Sequence, residues 1–366
     1  MTVHTEILLI AIAVSIACAI PGVFLVLRRM SMMADAITHT VFLGIVLAFF
    51  MTEDLNSPFL LVGATLVGVG TVWLTEMIHN TGLVNEDASI GIIFPLLFSI
   101  AIILVSLYSG NAHLDVDTAL LGEIAFAPFD RWIVSGTDLG PISLWISLGV
   151  ALINLILVML FYKELQLSTF DPLLAGLFGF MPDLIHYVLM TMVSLTVVAS
   201  FQAVGAILVI GLMIGPAVIA YLWTDSVKAM LTSSIIIGII CAVVGTEVAF
   251  TMDVSIAGSI ATTIGIALII AVIATPKTGY IATYRRQRHL RRHYRETMML
   301  CHIYTHMDTP IAHVENGIGT IHEHLNWRPD YTHQAASQLK KQGLLYVTNG
   351  HYVLTDKGIA QVKEII

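Results

Sequence analysis

The sequence predicts an all-α polytopic membrane protein of eight or nine spans, followed by a small α+β domain. Two observations support this prediction. Of the 366 residues, 57% are hydrophobic and 11% are charged, whereas a soluble globular chain carries about 25% charged residues. The second observation is that basic residues and histidines are concentrated in the last quarter of the chain. This composition excludes a disordered protein, a coiled coil and an ordinary soluble enzyme.

The balance of charge changes near residue 276. Residues 1–276 contain 5 Lys and Arg against 18 Asp and Glu, a formal charge of −13. Residues 277–366 contain 12 against 7, together with 9 of the 14 histidines. We therefore expect a transmembrane domain over 1–276, a basic juxtamembrane linker helix over 277–295 and a cytoplasmic domain over 296–366. The arginines of the linker suit anionic lipid head groups or, alternatively, DNA.

Nine apolar segments are long enough to be spans, because a helix needs about 20 residues to cross about 30 Å of hydrocarbon. The sixth and seventh have almost no loop between them and contain several glycines and a proline. One crossing plus a broken or re-entrant helix is therefore an alternative there. The predicted spans are 6–27, 31–51, 58–78, 88–109, 141–162, 184–203, 204–223, 228–251 and 254–275.

The distribution of basic residues predicts the orientation of the spans. Arg28 and Arg29 end the first span, so that end is expected in the cytoplasm and the N-terminus outside. Alternation of nine spans then places the basic tail in the cytoplasm. Arg131 alone departs from the pattern, because segment 110–140 falls outside. Part of that segment, 119–126, is predicted to form a short surface helix.

Asp35 and His39 are the first candidates for metal contact. They stand at positions i and i+4 and share one face of a helix in or near the second span. Ionisable groups are costly in lipid and usually face a bundle interior or a pathway. A carboxylate with an imidazole suits Mn²⁺, Zn²⁺ or Fe²⁺, and a structural Asp–His pair is the alternative. Glu247, in the eighth predicted span, is either a pathway acid or a buried or interfacial one.

Residues 28–39 contain the pattern Arg-x-Met-Ser-x-x-x-Asp-Ala-x-x-His. Together with four later stretches, this pattern resembles the membrane-spanning subunits of binding-protein-dependent ABC importers for manganese, zinc and iron. The resemblance covers residues 5–276. The later stretches are 87–91, 170–182, 204–217 and 257–259.

The resemblance implies a fold like that of type II ABC importer permeases and a function in importing a divalent metal ion. Mn²⁺ is the first candidate, with Zn²⁺ or Fe²⁺ possible. It further implies a homodimer in the membrane of a bacterial cell, with Asp35 and His39 contacting the ion along the dimer axis. A cytoplasmic ABC ATPase dimer and an extracytoplasmic metal-binding protein are the implied partners. The metal ion is substrate, and no permanently bound cofactor is expected.

ATP is expected on the partner, because the sequence contains no Gly-x-x-x-x-Gly-Lys-Ser/Thr pattern. The apolar inner loop 171–182 suits a groove on a partner, which the resemblance assigns to the ATPase; an interfacial helix on the bilayer is the alternative. The predicted coupling residues are Asp171, Leu174, Ala175, Leu177, Gly179 and Pro182, and the predicted pathway or helix-break residues are Gly205, Gly211, Gly215 and Pro216.

The tail is predicted to contain helices over 296–306, 312–324 and 329–342, a hairpin that turns at Asn349-Gly350, and a last helix over 356–365. This is the element order of a winged helix. Residues 338–345 and 352–358 resemble the DNA-binding domain of metal-dependent repressors of the diphtheria-toxin-repressor kind. The resemblance implies DNA contact by the third helix, although its few cations leave a DNA partner open. The candidate contacts are Tyr331, His333, Gln334, Ser337 and Lys341.

Two histidine pairs in the tail, His289/His293 and His302/His306, have the i,i+4 spacing of a partial Zn²⁺ site. No carboxylate or cysteine spacing completes either pair, so solvated surface histidines are the other interpretation. Three classes of function follow from the sequence. They are a metal-ion permease, a membrane-tethered metal-responsive transcription regulator, and a secondary transporter, which the scarcity of charge in the spans disfavours.

Overall fold

A computed structural model describes residues 2–53, 57, 59–108, 124–134, 137–275 and 279–365. The chain divides into two compact units, Met1–Ile273 and Ala274–Ile366. This division falls close to the change in charge after residue 276. Each unit has a hydrophobic core of its own.

The first unit is a bundle of long apolar helices. Within the described residues, nine helices are long and apolar enough to cross a membrane, which confirms the nine predicted segments. They are α1 (Val3–Leu27), α2 (Ser31–Thr52), α3 (Phe59–His79), α4 (Glu86–Tyr108), α5 (Ile142–Leu160), α8 (Pro182–Val204), α9 (Ala206–Trp223), α10 (Val227–Met252) and α11 (Ile256–Ala274), with the shorter α6 (Tyr162–Phe170) and α7 (Pro172–Leu177) after α5.

Helix α1 is the central helix of this bundle. It packs against α5, α8, α9 and α10, and most of its residues are buried. Its approach to α9 is close, because a Cβ atom on Gly22 would lie 1.9 Å from the backbone oxygen of Met213. Helix α2 packs on α3 and α4 beside this centre. Helices α4 and α11 leave most of their surface exposed, as helices at the edge of a bundle do.

The uncertain segment 184–223 forms two helices rather than one. Gly205 alone separates α8 from α9, with φ 80° and ψ 164°, a conformation that glycine adopts readily. Its neighbours Val204 and Ala206 are buried, so protein covers the irregular backbone. Helix α9 runs without interruption through Gly211, Gly215 and Pro216. The helix break predicted for this group therefore lies at Gly205 alone.

The segment before α5 contains a hairpin that the sequence did not predict. Strands β1 (Arg131–Val134) and β2 (Thr137–Pro141) pair antiparallel after a 3₁₀ turn at Ala127–Phe129. The predicted surface helix 119–126 lies mostly outside the described residues, and its last three residues form a turn.

Arg131, which departs from the charge pattern, joins this hairpin to α1. Its guanidinium donates hydrogen bonds to both carboxylate oxygens of Glu6, at 3.1 and 3.2 Å, and to Asp138 at 2.6 Å. The backbone amide of Gly140 and the Arg131 guanidinium together hold the pKa of Asp138 below its ordinary value. Two carboxylates therefore neutralise the one basic side chain predicted on the outer side.

The second unit follows the predicted order of elements with two corrections. One continuous helix, Tyr280–His306, runs through the predicted linker and the predicted helix 296–306, and the helix predicted over 312–324 is two short ones. The elements are α12 (Tyr280–His306), α13 (Ala312–Glu315), α14 (Ile321–His324), α15 (Pro329–Lys341), β3 (Leu345–Thr348), β4 (His351–Leu354) and α16 (Asp356–Ile365).

The break between α13 and α14 arises because Asn316 and Gly317 pair with other elements. The side chain of Asn316 donates to the backbone oxygen of Ile303 at 3.3 Å, and Gly317 forms a bridge with His351 of β4. The hairpin itself turns as predicted, with φ 51° at Asn349 and φ 80° at Gly350, the two positive values of a type I′ turn.

Backbone contact between α2 and α3 is tested by a substitution at Gly44. A Cβ atom there would lie 2.5 Å from the Cα atom of Ala64. Gly44→Ala should cost about 1–3 kcal/mol of folding free energy and lower the thermal unfolding midpoint of the purified protein in detergent. Gly70→Ala in α3 is the control, since nothing lies within 4 Å of its added Cβ. Equal losses in the two variants would contradict the close contact.

Candidate functional site

Asp35 and His39 lie together on α2, as their spacing predicts. Asp35 Oδ1 and His39 Nε2 are 3.5 Å apart, and each side chain is about one-third exposed, at 35% and 33%. The two groups form neither a buried pair nor an isolated surface pair. They offer one carboxylate and one imidazole on a face that the helices of their own chain leave partly open.

Neighbouring helices fix the orientation of this face. The ring of His39 lies 5.6 Å from Phe94 in a stacked arrangement and 5.9 Å from Phe98 edge-on, both on α4. One residue after His39, the hydroxyl of Thr40 accepts a hydrogen bond of 2.8 Å from Thr71 on α3, in a buried position. Helix α2 therefore cannot rotate without breaking contacts on two sides, and the imidazole is held by apolar rings rather than by hydrogen bonds.

A second group of ionisable side chains lies where α1, α3 and α8 meet near Arg28. Arg28 Nη1 is 3.0 Å from His186 Nδ1. Since arginine only donates, Nδ1 accepts and Nε2 carries the proton. That Nε2 lies 2.5 Å from Glu76 Oε1, and the Tyr187 hydroxyl donates to Glu76 Oε2 at 2.7 Å. Burial lowers the pKa of Arg28, although an arginine remains protonated.

This group borders a cavity of about 510 Å³. The lining includes the three acids Glu76, Glu86 and Asp183, set against Arg28 and the two histidines His79 and His186. All of these residues lie at helix ends that the charge pattern predicts to be cytoplasmic. The cavity is therefore polar and rich in carboxylates, a suitable environment for a hydrated cation.

Sequence reasoning did not select Glu76 or His186. The signal was present, because each is an ionisable residue inside a predicted span, 58–78 and 184–203 respectively. Asp35 and His39 were selected because both stand on one helix, where spacing shows that they meet. Glu76 and His186 are 110 residues apart in the chain, and tertiary structure alone brings them together.

The predicted coupling segment forms the short helix α7. Asp171 caps its N-terminus by accepting from the Leu174 amide at 2.9 Å, and Gly179, with φ 83°, ends the turn that follows. Ala175 is buried, whereas Leu177 is 85% exposed. Pro182 is the first residue of α8. The segment therefore anchors one side on its own unit and presents leucine and phenylalanine side chains outward.

Glu247 pairs with the first turn of α1. Its Oε1 lies 3.4 Å from His4 Nε2, and its side chain is 52% exposed. This placement fits the interpretation of an interfacial acid.

In the second unit, the predicted DNA-contact residues share the outer face of α15. His333, Gln334, Ser337 and Lys341 are exposed, while the Tyr331 ring stacks under the Arg295 guanidinium at 4.0 Å. A concavity of about 1060 Å³ lies between this face and the arginines of α12. The few cations of α15 are thus supplemented by those of α12, and DNA contact remains a prediction.

Comparison with known proteins assigns the family. The ABC 3 transport family matches residues 2–275, about three-quarters of the chain. The chain belongs to this family. Over 356 residues it is 41% identical to the zinc transport system membrane protein TroD of Treponema pallidum, a match that covers 97% of this chain and 96% of TroD. Because it covers nearly the whole chain, this match includes most of the tail.

Two further proteins are similar to the membrane-spanning part of the chain. The manganese transport system membrane protein MntD of Bacillus subtilis is 42% identical over 281 residues, covering 77% of this chain and 95% of MntD. Among solved structures, PsaBC from Streptococcus pneumoniae in complex with Fab aligns with a TM-score of 0.65 at 29% identity, covering 78% of this chain and 96% of that one. The chain is therefore a multi-pass membrane protein with the fold of an ABC 3 family permease.

The group around Arg28 is tested by comparison of two adjacent arginines. Arg28→Met removes hydrogen bonds to His186, Ser168 and Thr169, and should cost about 1.5–3 kcal/mol of stability. Arg29→Met removes an equal charge from an exposed side chain and should cost little. Chemical denaturation of the two purified variants in detergent measures the difference. Equal stability would show that the group around Arg28 does not hold the three helices together.

Proposed function

We propose that this chain is the permease subunit of an ABC importer for divalent transition-metal ions, with Mn²⁺ as the first candidate and Zn²⁺ or Fe²⁺ as alternatives. The observation that supports this most directly is the partly open Asp35–His39 pair on a membrane helix of an ABC 3 family member. The similar proteins include a membrane protein of a zinc transport system and one of a manganese transport system.

The ion pathway is proposed to lie between two copies of the chain. Ionisable side chains on membrane helices usually face a bundle interior, a partner or a water-filled path rather than lipid. Asp35 and His39 remain one-third exposed in the single chain, so a second copy or a water-filled path must cover them. Two copies about one axis would bring two carboxylates and two imidazoles together, with Asp35 and His39 as the contacts to the ion.

The donor set suits this class of cargo. Carboxylate oxygen and imidazole nitrogen bind Mn²⁺, Fe²⁺ and Zn²⁺, whereas Cu(I) prefers thiolate and thioether sulfur. An ion in transit must also leave, and two ligands per chain form an incomplete set that permits release. The cavity beside Glu76 and Asp183 is a second polar space on the route toward the side predicted to be cytoplasmic.

Energy is proposed to come from a separate cytoplasmic ABC ATPase dimer that receives α7 in a groove. Leu173 and Leu177 are 84% and 85% exposed, and Phe178 is 69% exposed. An apolar face of this size on a short, capped helix suits insertion into a partner. The proposal also includes an extracytoplasmic protein that delivers the ion to the opposite side of the membrane, where the N-terminus is predicted to lie.

The alternative function is a membrane-tethered metal-responsive transcription regulator. The observation that favours it is the concavity between α15 and the arginines of α12, because arginines suit phosphate groups. This function also requires that the second unit be a winged helix, as proposed. A regulator of this kind needs no transport activity. The two functions are therefore separated by whether the wild-type protein moves metal at all.

Transport provides the principal test of the site. In proteoliposomes containing the permease and its ATPase, Asp35→Asn and His39→Gln should each reduce ATP-dependent uptake of radiolabelled Mn²⁺ and Zn²⁺ about tenfold or more. This estimate is a lower bound, because even changes outside the ligand shell cost 10–100-fold in metal affinity or activity.

The outer-end pair provides the matched control for this test. His4→Gln and Glu247→Gln remove an imidazole and a carboxylate that stand 3.4 Å apart, a separation close to that of Asp35 and His39, and should leave uptake near the wild-type rate. Undiminished uptake in the Asp35 and His39 variants would reject the assigned site. Absence of uptake in the wild type would favour the regulator.

The role of α7 is tested by a charge on its exposed face. Leu177→Asp should abolish co-purification of the ATPase with the permease and the ATP dependence of uptake, because an ionised carboxylate cannot enter an apolar groove without a large desolvation cost. Leu83→Asp is the control, since Leu83 is 86% exposed in the turn between α3 and α4, on the same predicted side. If both variants retain the ATPase, α7 is not the coupling element.

A further inference from the structure

Three segments of the second unit bring histidines and a glutamate to one point. His302 and His306 stand one turn apart on α12, Glu315 is the last residue of α13, and His324 is the last residue of α14. One ligand atom each from His302, His306 and Glu315 lies within 4.8 Å of the others. Among the described residues, this is the one place where three such ligand atoms come so close.

The Glu315 carboxylate is the centre of the cluster. Its Oε2 lies 3.1 Å from His324 Nδ1 and 3.8 Å from His302 Nε2. The rings of His302 and His306 are 4.8 Å apart between centroids, and those of His302 and His324 are 6.2 Å apart and nearly parallel. Three imidazoles therefore surround one carboxylate.

A hydrogen-bonded surface network is the simpler interpretation, and one observation argues against it. The site is partly enclosed, with the side chains of His302 and Glu315 only 13% and 18% exposed. In the ring of His302, Nε2 lies 3.2 Å from the backbone oxygen of Glu315, which can only accept, so Nδ1 is the nitrogen that remains to bind a metal.

We propose that His302, His306, Glu315 and His324 form a divalent-cation site, of the kind that takes Zn²⁺, in the second unit. Three imidazole nitrogens and one carboxylate oxygen are a four-ligand set typical of tetrahedral zinc. Metal–ligand distances of about 2.0–2.1 Å place tetrahedral ligands about 3.3 Å apart. The ligand atoms of His302, His306 and Glu315 lie within 4.8 Å of one another, and His324 Nδ1 lies 3.1 Å from Glu315 Oε2; side-chain rotations that draw these atoms together would close the set. Three imidazoles favour Zn²⁺ over Mn²⁺, which prefers carboxylates.

An ion at this site would join α12, α13 and α14, which otherwise meet through few contacts. Four residues separate α14 from α15, so occupancy would restrain the position of α15 against α12. The stability of the unit would then rise with free metal concentration. Such a site would let the second unit sense metal at a place distinct from the Asp35–His39 pair on α2.

The structure also supplies a matched control. His289 and His293 have the same i,i+4 spacing on the same helix α12, but both are exposed and neither belongs to the cluster. The test compares His302→Gln/His306→Gln with His289→Gln/His293→Gln in the full-length protein in detergent. Both variants lose two imidazoles and retain the transport pair, so any Zn²⁺ bound by Asp35 and His39 is the same in both.

The measurement is bound Zn²⁺ per chain after equilibrium dialysis against buffered Zn²⁺, with Co²⁺ as a spectroscopic probe of tetrahedral geometry. His302→Gln/His306→Gln should lose one equivalent of Zn²⁺ and the tetrahedral Co²⁺ absorption, and the control should retain both. Glu315→Gln, a nearly isosteric change, should weaken binding about tenfold or more, and serves if the double variant fails to fold. Equal stoichiometry and spectra in all variants would overturn the proposal.

Discussion

In hydrocarbon, every backbone amide and carbonyl must be hydrogen-bonded within the protein, and this constraint organises the first unit. It requires helices, and it permits irregular backbone only where protein covers it. The break at Gly205 meets that condition, because its neighbours Val204 and Ala206 are buried. Close backbone approaches, such as Gly22 against Met213 and Gly44 against Ala64, then replace the hydrophobic effect as a source of packing between helices.

The same constraint governs the charged side chains. Arg131 is neutralised by Glu6 and Asp138, and Arg28 lies against the His186–Glu76 pair. Glu247 and His4 are neighbours near the ends of their helices. Asp35 and His39 are partly exposed, as His4 and Glu247 are, and the imidazole of His39 lies against two rings of α4. Beyond their mutual separation of 3.5 Å, both keep exposed surface that is available to a partner or an ion.

The second unit follows different rules, because its exposed residues are largely polar and charged. It has a core of its own that includes Leu300, Ile303 and Leu339, and most of its charge is exposed. Sequence spacing does not decide which of its histidines meet a carboxylate. Two pairs are identical in spacing, yet only His302/His306 meets a carboxylate, because the segment after α12 folds back and brings Glu315 to it.

The sequence by itself determined the apolar membrane segments and the charge division near residue 276, because length, apolar composition and charge balance are local properties of the chain; it left open whether 184–223 holds one crossing or two. The spacing of Asp35 and His39 and the turn at Asn349-Gly350 are local in the same sense. Tertiary structure alone decided the pairing of Glu76 with His186 and the meeting of Glu315 with three histidines, because these contacts join distant residues. It also decided that 312–324 is two short helices, since pairing of Asn316 and Gly317 with Ile303 and His351 overrides the local preference for one.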